Sequence, residues 1–161
     1  VTFEPGETTT SQQHNWILFR YAEILLNYAE AMVNAYGDPD YTGSYSLSAR
    51  DAVNQVRNRG DVKMPAYPAD MSKDAFLKRL KNERRVEFAF EGQRFWDLRR
   101  WKELDNMQNI YKVKVVKQTD GTIQYTKALH ATYNIQDKMY FYPISNTELF
   151  KNHKLVQNTG W

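Results

Sequence analysis

The chain has 161 residues, a net charge of +3, 42% hydrophobic and 14% aromatic residues, and no cysteine, enough apolar content for one ordinary core and too little for two. The missing thiols exclude disulfides, thiol catalysis and thiolate metal sites. Basic and acidic residues alternate without long single-sign blocks, which argues against a nucleic-acid surface, and no apolar run approaches the roughly 20 residues that cross a bilayer.

Val1 to Ser11 carries neither a charged leader nor a hydrophobic segment, so residues 1–14 are read as a leading segment and 15–161 as one domain within a longer protein. From Asn15 to Tyr36 the positions Ile17, Tyr21, Ile24, Leu25, Tyr28, Met32 and Tyr36 step by three and four, predicting an amphipathic helix that stops at Gly37. Alanines at 22, 29, 31 and 35 leave room for a neighbour, predicted as a second helix over Ser48 to Asn58, with Ser48 and Asp51 as a capping box. The linker Asp38 to Leu47 reads as an exposed loop.

After the Pro-containing loop Met64 to Pro68, Ser72 is placed to cap a third helix running from Lys73 toward Glu91, with Gly92 at its end or at a bend, and a short helix follows over Arg94 to Trp101. Tyr111, Val113 and Val115 alternate with lysines, and Ile123 and Tyr125 resume the alternation beyond Asp120-Gly121. This predicts a β-hairpin closed by a two-residue turn. Met139 to Tyr142 reads as a short extended segment, Asn146 to Phe150 as a helical turn, and the remainder as an irregular tail.

Phe76, Leu80, Glu83, Glu87, Phe90, Arg94, Asp97 and Trp101 also step by four and three, and would share one face if helix continued through the glycine. Charges in the middle of such a face demand partners, because an isolated ion in low dielectric costs more than folding can offset. Glu83 and Glu87, one turn apart, are each expected to take an arginine from among Arg84, Arg94, Arg20, Arg57 and Arg59. The resulting structural network is Arg20, Glu83, Arg84, Glu87, Arg94 and Asp97. The competing reading makes Glu83 and Glu87 a glycosidase carboxylate pair.

At this point the chain resembles the SusD/RagB family. Arg20 to Ala31 (RYAEILLNYAEA), Asn54 to Arg59 (NQVRNR), Glu83 to Trp101 (ERRVEFAFEGQRFWDLRRW), and the pair Tyr142 to Glu148 (YPISNTE) with Gln157 to Trp161 (QNTGW) are similar to its ordered blocks. Ser145 and Thr159 stand where proline is usual, and Trp161 where tyrosine is. The resemblance implies the carboxy-terminal part of a lipoprotein anchored on the outer face of the bacterial outer membrane. Such a protein caps a SusC-like TonB-dependent transporter, passes glycans or peptides to it, uses no cofactor and is not an enzyme. It also implies a mainly α fold with a tetratricopeptide-like helix pair, to which this chain adds an inserted β-hairpin.

A sugar site needs flat aromatic faces beside a few hydrogen-bonding groups. Tyr41, Tyr45 and Tyr67 are the candidates for glycan contact, whereas Trp16, Trp96 and Trp101 fall at core-like spacing. His14, His130 and His153 have no metal-ligand spacing, and no metal is expected. A tetratricopeptide-type scaffold for protein partners is the alternative binding reading.

Overall fold

The computed structural model describes residues 17–60 and 62–161; the leading segment 1–14, His14, and the expected helix start at Asn15 and Trp16 lie outside the described residues. The chain divides into two compact units, meeting in sequence at Glu87 and Phe88. The described residues are mainly helical, with one two-stranded antiparallel sheet.

The first unit holds three helices, α1 (Tyr21–Tyr36), α2 (Ala49–Arg57) and α3 (Lys73–Glu87). α1 packs on both of the others. It buries Leu25, Leu26, Ala29, Met32 and Val33, one stripe at helical spacing, with the Ala29 methyl permitting close approach. Gly37 ends α1 in the left-handed region at φ 78°, its N–H donating to the Val33 carbonyl at 2.9 Å. The helix begins at Tyr21 rather than near Asn15, because Arg20 is extended (φ -127°, ψ 147°) and its carbonyl accepts from the Glu23 N–H at 2.9 Å. The Ser48/Asp51 capping box is formed as expected. The Ser48 hydroxyl accepts from the Asp51 N–H at 3.1 Å, and the Asp51 carboxylate accepts from the Ser48 N–H at 3.2 Å.

α3 buries Phe76, Leu80 and Arg84 and stops at Glu87, not at Glu91. Two positive-φ residues follow, Phe90 at 67° and Gly92 at 78°, before α4 (Gln93–Arg100) opens the second unit. A continuous face through Trp101 therefore does not form: Phe90 is fully exposed and Trp96, expected in a core, is 56% exposed. The break resets the helical register, so spacing counted across it has no geometric meaning.

In the second unit, β1 (Asn109–Lys117) and β2 (Ile123–Thr132) pair antiparallel, with Tyr111 opposite Leu129, Val113 opposite Lys127 and Val115 opposite Tyr125. The connection is longer than the expected two-residue turn. Lys117 pairs with Ile123, the Gly121 N–H donates to the Gln118 carbonyl at 3.0 Å, and Gly121 sits at φ 87°, so glycine supplies the left-handed residue that closes a four-residue turn. A 3-10 turn (Asp137–Tyr140), found where a short extended segment was expected, leads to α5 (Asn146–Lys151).

The tail is irregular but fixed. Gln157 forms a two-way amide bridge with Ile144 (2.8 and 2.9 Å), the Asn158 amide donates to the Tyr142 carbonyl at 2.6 Å, and the Trp161 indole N–H donates to the Lys138 and Phe141 carbonyls at 3.0 and 3.1 Å. The sequence blocks Tyr142 to Glu148 and Gln157 to Trp161 are thus two halves of one contact.

Candidate functional site

Two features of the first unit concentrate functional side chains: a carboxylate–guanidinium cluster and an aromatic face. In the cluster, Arg20 clamps one residue twice, donating Nη1 to Glu87 Oε1 at 2.9 Å and Nη2 to the Glu87 carbonyl at 2.8 Å. The second bond satisfies a carbonyl that the end of α3 leaves orphaned. Arg59 donates to the same Oε1, and Arg57 bridges Glu83. Arg84, buried between helices, donates to Asn27 Oδ1 at 2.6 Å. Of the residues singled out from the sequence, Arg94 lies with its guanidinium 5.9 Å from the Trp101 ring centre, and Asp97 accepts from Arg100 at 2.9 Å.

Burial pushes the Glu87 carboxyl pKa up, but the hydrogen bonds and charges of Arg59 and Arg20 outweigh it and hold it below the ordinary glutamate value. A general acid of a glycosidase needs the opposite shift.

The aromatic face is built by α1 and the loop after it. Tyr28 and Tyr36 come from α1, and Tyr41 and Tyr45 from the loop. Tyr36 and Tyr41 stack at 4.2 Å and 21°, Tyr45 meets Tyr28 edge-on at 6.5 Å, and the Tyr36 and Tyr45 hydroxyls lie 3.1 Å apart. That hydroxyl contact raises the Tyr36 pKa above the ordinary phenol value. Tyr41 and Tyr45 remain 38% and 47% exposed.

Several contacts fix this loop. Arg50 donates to both oxygens of Asp40 at 2.6 and 2.5 Å, the Asp40 N–H donates to Asp38 Oδ1 at 2.9 Å, and the Tyr28 hydroxyl donates to the Leu47 carbonyl at 2.6 Å. Gly43, at φ 52°, lets the Tyr41 ring fold over the backbone; a Cβ there would stand 2.5 Å from the Tyr41 oxygen. Beside the rings is a hollow of about 240 Å³ lined by Tyr21, Ile24, Leu25, Tyr28, Tyr45, Ser46 and Leu47. Flat rings flanked by hydroxyls and backbone carbonyls suit the C–H faces and hydroxyls of a sugar.

Tyr67 is a correction to the sequence reading. It is 5% exposed, with its ring edge-on to Phe76 at 5.6 Å and its N–H donating to Asn54 Oδ1 at 2.8 Å. The prolines suggested an open loop, but Arg57 ties that loop down through the Pro65 and Met64 backbone, so Tyr67 serves as core. Sequence reasoning missed the Arg50–Asp40 fork and the two α1 tyrosines. Tyr28 and Tyr36 are eight residues apart and so share a helix face, a signal that was present but read only as packing. Among the described residues, no group of three or more His, Asp or Glu is arranged to hold a metal, and no helix is long and apolar enough to cross a membrane.

The family model described as the SusD family matches residues 3–161. SusD-like protein P38 of Formosa agariphila is 37% identical over 90 residues, covering 52% of this chain and 16% of that protein. SusD-like protein P2 of the same organism is 31% identical over 102 residues, covering 60% of this chain and 19% of that protein. The crystal structure of a SusD-like protein from Bacteroides fragilis superposes with a TM-score of 0.78 at 31% identity, covering 98% of this chain and 28% of the other. The chain thus spans less than a third of the length of each relative.

Proposed function

Since the chain belongs to the SusD family, we propose that it is part of a non-catalytic, lipid-anchored protein of the bacterial outer membrane that captures glycan at the cell surface and delivers it to a SusC-like TonB-dependent transporter. The observation that carries the capture step is the tyrosine face of α1 and its loop, where two rings, Tyr41 and Tyr45, are partly exposed and Tyr45 lines an apolar hollow rimmed by hydroxyls.

The glycosidase reading is disfavoured by Glu83 and Glu87 both being spent on arginines. The tetratricopeptide-scaffold reading draws on the same helix pair, but it assigns no role to the loop tyrosines.

The test is retardation in polysaccharide affinity gels. Wild-type protein is expected to be slowed by at least one glycan, and the Tyr41→Ala/Tyr45→Ala variant to migrate freely, with no turnover of chromogenic glycosides by either. Glycoside turnover lost in Glu87→Gln would instead establish the enzyme. Delivery is tested separately by co-purification with a large β-barrel from outer membranes in mild detergent.

A further inference from the structure

The first unit carries a second depression, of about 520 Å³, between α3 and the segment ending at Tyr67. Its lining sets three cations, Arg57, Lys78 and Arg79, against one acid, Glu83. Arg57 neutralises that acid by bridging it, and gives its Nε to the Pro65 carbonyl at 2.7 Å. Lys78 and Arg79 are both exposed, and among the described residues neither has a carboxylate within ion-pair distance. The depression therefore carries two uncompensated positive charges.

Arg79 differs from an ordinary surface arginine. Its guanidinium lies 5.3 Å from the centre of the Tyr67 ring, and that ring is packed edge-on to Phe76 while the Tyr67 N–H is held by Asn54. A guanidinium resting on a fixed ring has already lost part of its rotamer freedom, so an anion meeting its donors requires less ordering than on a free side chain. Asn82 adds a side-chain amide one helical turn from Lys78.

We propose that this hollow is a subsite for a carboxylate or sulfate group on a saccharide, gripped by Arg79 and Lys78 with Asn82 beside them. A neutral sugar gains nothing from two unbalanced cations, whereas an acidic one gains charge-assisted hydrogen bonds. That the anion is borne by a saccharide rests on the capture reading above; the preference for an anion rests on the local charge imbalance.

Depletion of the whole chain from solution by beads carrying polygalacturonate, chondroitin sulfate or dextran, at physiological ionic strength, tests the subsite. Binding to at least one acidic polymer is expected. It should weaken by about tenfold or more in Arg79→Gln/Lys78→Gln, consistent with loss of charge-assisted bonds, and by a smaller factor in Lys78→Gln, whose side chain supports no packing. The variant Lys112→Gln/Lys114→Gln removes the same charge from the hairpin and should bind like wild type. Equal weakening in the two double variants would reduce the effect to net charge and overturn the subsite. Binding to dextran alone would overturn it while leaving glycan capture standing, and binding to none of the three would count against both.

Discussion

Glu87 collects two guanidinium groups on a single carboxylate oxygen while its side chain is only 10% exposed, so it is the position where one substitution does most damage. Glu87→Leu removes the carboxylate that Arg20 and Arg59 share. Removing one partner of a fully buried pair costs about 3–5 kcal/mol; Arg59 is 46% exposed and partly rehydrates, so the expected loss is about 2 kcal/mol. Thermal unfolding followed by circular dichroism should show a midpoint lower by roughly 4–8 °C, and a normal melt would contradict the network. Gly43→Ala makes a different point. The added methyl collides with the Tyr41 ring at a position already at φ 52°, so Tyr41 must leave Tyr36. Near-ultraviolet circular dichroism should change and glycan retardation should fall, with the helical signal intact. The polarity of their loop was enough to place Tyr41 and Tyr45 at the surface, but it misplaced Tyr67, because nothing in the order Met-Pro-Ala-Tyr-Pro reveals that Asn54 and Arg57 hold that loop from another helix.

At the scale of elements, boundaries written by local chemistry were legible and those set by distant partners were not. The Ser48/Asp51 box and the stop at Gly37 are decided within four residues. The end of α3 is sealed by Arg20, a residue 67 positions away, and sequence periodicity runs straight past it. The hairpin strands follow from alternation alone, but the number of residues in the turn does not, because Asp-Gly serves two-residue and longer connections alike. Gly121→Ala should cost about 1 kcal/mol through its left-handed φ. In the tail, Gln157→Ala removes both bonds to Ile144, so hydrogen exchange of the Ile144 amide should accelerate by about fivefold, as for loss of a bond worth about 1 kcal/mol. Unchanged exchange would mean that the two terminal blocks hold each other by other contacts.

For the whole molecule, the depressed Glu87 pKa fixes the sign of one pH dependence. A carboxyl that releases its proton more readily in the folded state contributes stability that is present above the ordinary glutamate pKa and is lost as the pH falls through the lower folded value. Stability should therefore decline on acidification below about pH 4.5, the usual range for such a group, and Glu87→Gln should flatten that decline in denaturant titrations. The clamp that produces this shift also has a kinetic side. Arg20 and Glu87 lie 67 positions apart in the chain, and so long a closure is expected to form late in folding, after α1 and α3 have docked. Arg20→Gln should leave the refolding rate nearly unchanged and raise the unfolding rate by the whole of its stability loss. Arg20 would then set how long the folded unit lasts rather than how quickly it forms.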